Sequence, residues 1–230
     1  MEYCKKSAWT IMPTFSRAAA KPVKWSGNDF AGAVLRERDD LAAETVYLPE
    51  QGGCAHAILI GKEFFKGPQS LRDLENFDRE ADVLQALEGK GLPVPEVTCR
   101  GKDTVFYGMT RMPGVELDQI SHALSAEEMR ILAEDIAGFV IALALALPSK
   151  DGTYACHGDL STRNILVNPQ TRRLSAVIDF GSFAYAPEDK LCTGASLPAA
   201  CPVAEIFAAR KAELRRVRQH GEKTAWNITN

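Results

Sequence analysis

The segment between residues 157 and 181 constrains the fold of this chain more than any other part of the sequence. It starts with a His-Gly-Asp triplet that ends at Asp159, places Asn164 five residues later, and ends with an Asp-Phe-Gly triplet that begins at Asp179. The two short apolar stretches in between are typical of buried strands. An Asp and an Asn at this spacing can point into one site from a tight loop. The pattern therefore predicts that a loop and a strand bring Asp159, Asn164 and Asp179 together.

These three side chains suit the transfer of a phosphoryl group. That reaction needs a carboxylate to orient the attacking hydroxyl and accept its proton, oxygen ligands for magnesium between the phosphates, and a cation on the phosphates. Carboxylate oxygens are hard ligands of the kind that magnesium prefers. The alternative is that Asp159 and Asn164 only cap a turn and that Asp179 is an ordinary residue at a strand end.

The two triplets and their spacing resemble the protein-kinase-like superfamily, in the branch that has His-Gly-Asp in place of His-Arg-Asp. The resemblance spans about residues 46–195 and includes a helix segment at 79–84 and a lobe connection at 91–95. Aminoglycoside-type and choline-type phosphotransferases share it, as do small atypical protein kinases. It implies an α+β, bilobal, minimal protein-kinase-like fold with a strand-rich N-lobe and a helical C-lobe.

The resemblance also implies a role for each matching residue. Asp159 would be the catalytic base, and Asn164 and Asp179 would be the magnesium ligands. His157 would brace the loop, which is close to the alternative of an ordinary buried histidine with its hydrogen bonds satisfied. ATP and magnesium are the cofactors that follow from these roles.

Two lysines are candidates for the cation on the phosphates. Lys66 leaves a predicted strand at the position where the family's strand lysine is expected, whereas Lys62 lies in the preceding turn and is the less favoured candidate. The expected partner of Lys66 is Glu80, one of few acidic residues on an otherwise apolar helix face. The alternative for Glu80 is an ordinary surface glutamate.

Two segments are candidates for contact with the nucleotide. Gly52 and Gly53 form a turn whose small residues allow the backbone to approach phosphates closely. Residues 107–114 resemble the family hinge between the lobes. The backbone of Thr110 and Met112 would then hydrogen-bond adenine, with Met109 at the back of the adenine pocket. Ordinary packing between a strand and a turn is the alternative.

The pattern along the chain predicts three segments. Residues 1–45 form an N-terminal extension with a short helix near 31–43, residues 46–112 form the N-lobe, and residues 113–230 form the C-lobe with a charged C-terminal helix. Apolar residues spaced three and four apart over 74–87 predict a helix in the N-lobe.

Composition excludes several other classes of protein. Of the 230 residues 46% are hydrophobic and 25% are charged, which is typical of a globular chain. The net charge of −3 makes a nucleic-acid partner unlikely, and the longest apolar run, 12 residues at 136–147, is too short to span a membrane. Six scattered cysteines without a Cys-x-x-Cys pair, and no Sec-type signal, predict a cytoplasmic location. The oligomeric state stays open.

The lengths of two segments bear on the acceptor. Only 42 residues separate Gly114 from His157, and 49 follow Gly181. Related small-molecule enzymes place additional helices there, so the short segments favour an open cleft and a protein substrate. The leading hypothesis is an ATP- and magnesium-dependent protein Ser/Thr kinase, similar in layout to effectors that bacteria inject into host cells. A small-molecule phosphotransferase of the aminoglycoside or choline type, and a nucleotide-binding scaffold, remain as alternatives.

Overall fold

An antiparallel sheet organises the first lobe. The structure is a computed structural model that describes residues 27–48, 55–69, 74–147, 151–192 and 196–220. The strands of this sheet are β1 (Val46–Tyr47), β2 (Ala55–Ile60), β3 (Glu63–Pro68), β4 (Val97–Arg100) and β5 (Tyr107–Thr110). They pair in the order β1-β2-β3-β5-β4, with every pairing antiparallel. Because β3 is the central strand, Lys66 lies in the middle of the sheet.

Helices surround this sheet and build most of the second lobe. The described residues form α1 (Gly27–Glu37), α2 (Leu74–Leu87), α3 (Leu117–Ile120), α4 (Ala126–Ala146) and α5 (Val203–His220). The second lobe also has a small sheet in the order β6-β8-β9 and a strand pair β7-β10. These strands are β6 (Val115–Glu116), β7 (Tyr154–Cys156), β8 (Ile165–Val167), β9 (Leu174–Val177) and β10 (Ala184–Ala186).

Helix α1 covers the back of the first-lobe sheet. Side chains alternate between the two faces of a strand, so Ile58 of β2 and Phe65 of β3 point to the back, where they pack with Phe30 and Val34 of α1 in one buried cluster. A Cβ atom at Gly67 would lie 2.5 Å from the ring of Phe30, so a glycine is required where helix and strand approach. Helix α1 is therefore part of the core of the first lobe.

The sequence predicted a helix that begins four residues and ends six residues too late. Helix α1 begins at Gly27 and ends at Glu37, and a 3-10 turn follows at Asp39–Leu41. The backbone of Arg38 leaves the helical region with φ −128°. The carboxylate of Glu37 accepts a 2.7 Å hydrogen bond from the amide of Thr104 in a distant turn, a long-range contact that the local pattern does not reveal.

Helix α2 lies on the opposite side of the sheet, near the cleft between the lobes. Its predicted apolar face is confirmed, because Phe77, Ala81, Leu84 and Leu87 are all buried. Glu80 lies on the same side of the helix and is 4% exposed. Burying a carboxylate is costly unless it is paired, so this residue must have a partner inside the cleft.

The core of the second lobe forms around α4. A capping box begins this helix: the hydroxyl of Ser125 accepts from the amide of Glu128, and the carboxylate of Glu128 accepts from the amide of Ser125. The helix is buried along most of its length and packs against α5 and β7. The predicted α+β fold with a strand-rich first lobe and a helical second lobe is confirmed. No helix within the described residues is long and apolar enough to cross a membrane.

Candidate active site

A buried lysine joins the two lobes. Lys66 Nζ on β3 lies 2.9 Å from Glu80 Oε1 and 3.2 Å from Glu80 Oε2 on α2, and 2.9 Å from Asp179 Oδ1 in the second lobe. The side chains of Lys66 and Glu80 are 13% and 5% exposed, whereas that of Asp179 is 50% exposed. The structure therefore contains the ion pair between Lys66 and Glu80 and extends it to Asp179.

The three charges stabilise one another. Burial would lower the pKa of Lys66, but the carboxylates of Glu80 and Asp179 outweigh it and raise that pKa above its ordinary value. Burial likewise would raise the pKa of Asp179, and the ammonium of Lys66 lowers it below the ordinary value. Lys66 and Asp179 are consequently both charged at neutral pH, and the cleft contains a buried cation.

The backbone after β9 is held in an unusual conformation. Asp179 has φ +67°, in the left-handed region that costs a residue other than glycine about 1–2 kcal/mol. Two contacts offset this cost: the amide of Phe180 donates to Glu80 Oε1 at 3.1 Å, and the amide of Ile178 donates to the carbonyl of Asn164 at 2.9 Å. Glu80 thus orients both Lys66 and the chain that carries Asp179.

His157 connects the loop before β8 to the strand end at Asp179. Its Nδ1 accepts from the amide of Asp159 at 3.3 Å, and its Nε2 lies 3.0 Å from the carbonyl of Ile178. An amide can only donate and a carbonyl can only accept, so the ring is neutral with its proton on Nε2. Burial lowers the pKa of His157, in agreement with this neutral form. The contacts are those of the predicted brace.

Asn164 fixes the carboxylate of Asp159. Its Nδ2 donates to the backbone carbonyl of Asp159 at 2.9 Å and to Asp159 Oδ2 at 3.1 Å. Both amide hydrogens are used in this way, which leaves the side-chain oxygen of Asn164 as an acceptor for another group. The structure therefore brings Asp159, Asn164 and Asp179 to one cleft, with Asn164 buried.

Gly158 was not singled out from the sequence, although it determines how closely the chain can pack here. It has φ +83°, and a Cβ atom at this position would lie 2.0 Å from the carbonyl oxygen of Ser182. A side chain is excluded both by the backbone conformation and by space. The glycine between His157 and Asp159 was the available signal, since it allows the Asp-Phe-Gly turn to lie directly against the loop.

The structure specifies which backbone group of Thr110 the hinge prediction can use. The amide of Thr110 donates to the carbonyl of Glu96 at 2.9 Å, and the hydroxyl of Thr110 accepts from the amide of Glu96 at 3.0 Å. The amide of Thr110 is therefore already hydrogen-bonded to Glu96, the residue just before β4. Its carbonyl is the backbone group that remains for a hydrogen bond with a nucleotide base. Met109 is 5% exposed and Met112 follows in the connection between the lobes.

The remaining candidates are Lys62 and the predicted phosphate loop. Lys62 is exposed in the turn between β2 and β3, where its carbonyl accepts from the amide of Arg111 at 3.0 Å, so it lies away from the cluster around Lys66. Gly52 and Gly53, the predicted phosphate loop, lie outside the described residues.

The fold and this cleft have the arrangement of the protein-kinase-like class: a strand lysine paired with a helix glutamate, opposite an Asp, an Asn and a second Asp. Residues 59–154 and 140–188 match the phosphotransferase enzyme family, APH. Together these ranges span 59–188, which is 130 of 230 residues and more than half of the chain. The chain belongs to this family.

Two curated relatives agree with the family assignment, and a solved structure agrees with the fold. An aminoglycoside 3′-phosphotransferase of Streptomyces ribosidificus is 26% identical over 160 residues, 48% of this chain and 61% of the relative. Another from Streptomyces fradiae is 29% identical over 157 residues, 46% of this chain and 59% of the relative. The alignments thus span about three fifths of these relatives. An ADP-bound aminoglycoside phosphotransferase, APH(2″)-Ib, has the same fold, with a TM-score of 0.63, 18% identity and coverage of 85% of this chain and 93% of that one.

The prediction of a protein substrate is wrong. Both curated relatives are named for phosphorylating aminoglycosides, which are small molecules, and neither is named as a protein Ser/Thr kinase or an effector. The prediction relied on segment length. A short segment has no room for additional helices, but an irregular segment can still line a pocket for a small molecule. In the structure the amide of Ser196 donates to the carbonyl of Leu160 at 3.0 Å. The chain at Ser196, beyond the Asp-Phe-Gly turn, therefore lies beside the loop of Asp159.

Proposed function

We propose that this chain transfers the γ-phosphoryl group of ATP, with magnesium, to a hydroxyl of an aminoglycoside-like small molecule. The observation that carries the proposal is the pairing of Lys66 with Glu80 and Asp179 across the cleft from Asp159 and Asn164. This arrangement supplies a cation for the phosphates, oxygen ligands for a metal and a carboxylate near the reacting hydroxyl. Both curated relatives are named for aminoglycosides, which supports this class of acceptor.

In the proposed reaction the acceptor oxygen attacks the γ-phosphorus, and the bond between that phosphorus and the oxygen bridging to the β-phosphorus breaks. Asp159 orients the hydroxyl and accepts its proton, and the nucleoside diphosphate leaves with the electron pair of the broken bond. Lys66 exchanges part of its contact with the carboxylates for the phosphate oxygens. Glu80 keeps the ammonium in position through its own buried contacts.

The donor atoms in the cleft fit magnesium. Within the described ranges no three His, Cys, Asp or Glu side chains cluster into a metal cage. Magnesium is commonly held by one or two carboxylates together with water and substrate phosphates, so one carboxylate and one amide oxygen are a suitable set. Asp179 would supply the carboxylate and Asn164 its side-chain oxygen, which its hydrogen bonds to Asp159 leave available. Magnesium, when bound, neutralises negative charge on the phosphates.

The test compares acceptors that differ in one hydroxyl. The purified chain is incubated with magnesium and ATP labelled in the γ-phosphate, and with kanamycin A, which has a 3′-hydroxyl, or tobramycin, which lacks it. We expect labelled kanamycin A and little labelled tobramycin, because the curated relatives are named for the 3′ position. The matched control is Asp159→Asn, which keeps the size of the side chain but cannot accept the proton.

Equal labelling by wild type and Asp159→Asn would contradict the mechanism. If kanamycin A gained no phosphate, a panel that includes streptomycin, gentamicin and a macrolide would follow. Failure of every acceptor in the panel, with either ATP or GTP as donor, would contradict the proposed class of acceptor.

A further inference from the structure

Tyr107 has a buried hydroxyl that finds no hydrogen-bond partner among the described residues. The side chain, on β5, is 0% exposed. A buried, unpaired hydroxyl costs about 1–3 kcal/mol, and phenylalanine would give the same ring packing without that cost. The nearby positions 64, 65, 77 and 106 all carry phenylalanine. A tyrosine at this one position therefore calls for an explanation in another state of the protein.

The hydroxyl faces the charged cluster of the cleft. Tyr107 lies directly opposite Lys66 of β3 and Arg100 of β4, and residues opposite each other in a sheet project from the same face. Its ring packs on that of Phe77 with the centroids 4.8 Å apart, and Glu80 lies one turn further along α2. Burial, followed by the charge of the Glu80 carboxylate and the approach of the hydroxyl to it, raises the pKa of Tyr107 well above its ordinary value. Arg100 can only donate, so Glu80 is the acceptor that faces the hydroxyl.

The present contacts of Glu80 show which of them a bound nucleotide would weaken. Oε1 accepts from Lys66 and from the amide of Phe180, while Oε2 accepts from Lys66 at 3.2 Å. Phosphate oxygens that draw Lys66 toward the nucleotide weaken both contacts with Lys66. A buried carboxylate whose contact with its cation weakens needs another hydrogen-bond donor, because an uncompensated buried charge is costly.

We propose that Tyr107 is a positioning residue, whose hydroxyl donates to Glu80 when Lys66 engages the nucleotide phosphates. In the structure described Lys66 and the amide of Phe180 donate to this carboxylate, and the hydroxyl lies toward it without a hydrogen bond of full geometry. In the nucleotide-bound state it keeps Glu80 in place, and with it the amide of Phe180 and the position of Asp179. This inference rests on the proposed function, since it concerns the binding of the nucleotide at the same cleft.

The test is Tyr107→Phe, with Tyr185→Phe of β10 as the control for removal of a tyrosine hydroxyl elsewhere. The new hydrogen bond forms in the nucleotide-bound ground state and persists in the transition state. Its loss should therefore raise the nucleotide KM about tenfold, as for one hydrogen bond to a charged group. The kcat should change less than about twofold, and the nucleotide Kd from calorimetry should rise with KM. The stability of the free protein should be unchanged or higher, because an unpaired hydroxyl is removed.

A structural role would give the opposite result: a lower melting temperature with an unchanged nucleotide KM, which would overturn the inference. In the Glu80→Gln background the effect of Tyr107→Phe on the nucleotide Kd should largely disappear, and an undiminished effect would also overturn it. If wild type transfers phosphate but Tyr107→Phe behaves like Tyr185→Phe, the inference fails and the proposed function stands. If wild type binds no nucleotide, both fail. If it binds ATP but accepts no tested acceptor, the Kd comparison decides the inference alone.

Discussion

The two sides of the cleft satisfy their charged groups in different ways. On the first-lobe side Lys66 is paired with Glu80 and with Asp179, and the pair with Glu80 is almost completely buried. On the second-lobe side Asp159 is held by hydrogen bonds from the neutral side chain of Asn164, and the ring of neutral His157 accepts from its amide. Among the described residues, no lysine, arginine or histidine forms a salt bridge with Asp159.

This difference predicts that substitutions on the two sides of the cleft have different effects. The charges around Lys66 stabilise the fold and must exchange partners when a ligand binds, so substitutions there affect folding and affinity. The carboxylate of Asp159 is oriented without being neutralised, so it remains able to accept a proton. Substitution of Asp159 should therefore affect the rate of transfer and little else. The predictions below test this separation, beginning with the largest effect.

Asp159→Asn should abolish most of the transfer while leaving the protein folded and able to bind nucleotide. The amide keeps the size of the side chain but cannot accept a proton, and a general base contributes about 10²–10⁴-fold to a rate. We expect kcat to fall by that factor, with the nucleotide Kd changed less than about twofold. Rate measurements with kanamycin A and calorimetry with magnesium-ATP check this, with the exposed Asp189→Asn as the control. A large loss of nucleotide affinity would show that the two sides are not separable.

Lys66→Met should have the largest effect on stability. It leaves Glu80, which is 5% exposed, without its cation, and removing one partner of a buried ion pair costs about 3–5 kcal/mol. The free energy of unfolding from urea titration measures this. Lys62→Met in the exposed turn is the matched control and should change it by less than about 0.5 kcal/mol. The double variant Lys66→Met with Glu80→Gln should recover part of the loss. If it is less stable than Lys66→Met alone, the assigned pairing is incorrect.

Asp179→Ala should remove the magnesium dependence of nucleotide binding. Magnesium should no longer tighten the binding of ATP, a loss of about tenfold or more in affinity, or about 1.4 kcal/mol per tenfold. Asp179→Asn is a useful companion because asparagine tolerates the left-handed backbone found at this position. The alanine variant should lose the magnesium effect, the asparagine variant should weaken it because its amide oxygen carries no charge, and only the alanine variant should also lose stability through backbone strain. Retained magnesium dependence in both would exclude Asp179 as a ligand.

The sequence predicted the second-lobe side better than the first because its signals are local. Asp159, Asn164 and Asp179 lie within 25 residues, and the spacing of the two triplets already implies their meeting. The pair of Lys66 and Glu80 was also predictable, since the resemblance to the kinase-like superfamily implies a strand lysine with an acidic partner on a helix. These signals do not depend on knowing which strands are neighbours.

Features that depend on strand register and on contacts distant in sequence were not predictable. The position of Tyr107 opposite Lys66 follows from the pairing of β3 with β5, which are separated by the whole of α2. The commitment of the Thr110 amide to Glu96 depends on where β4 pairs. The packing of Phe30 on Gly67 likewise joins segments far apart in the chain. Segment length, for its part, was a poor guide to the acceptor because a loop can line a cleft as well as a helix can.

The smallest effect concerns pH and the brace between the two sides. His157 is neutral in the fold because burial lowers its pKa, whereas in the unfolded chain a histidine has a pKa of about 6.5. Between these two values the unfolded chain binds more protons, so the free energy of unfolding should fall as pH drops below about 6.5. Protonation of Nδ1 would also break its contact with the amide of Asp159, and the ring of Phe180 packs 4.5 Å away from the imidazole, centroid to centroid.

The carboxylates of Asp159 and Asp179 attract the protonated ring and oppose its loss of solvation, so the effect should be modest. His157→Gln can still donate to the carbonyl of Ile178 but does not titrate. Its free energy of unfolding should therefore vary less than that of wild type between about pH 7 and about pH 5. Asp179, whose pKa lies below its ordinary value, contributes only in a more acidic range. Parallel curves for the two proteins would show that His157 is not the neutral link between the loop of Asp159 and the strand end at Asp179.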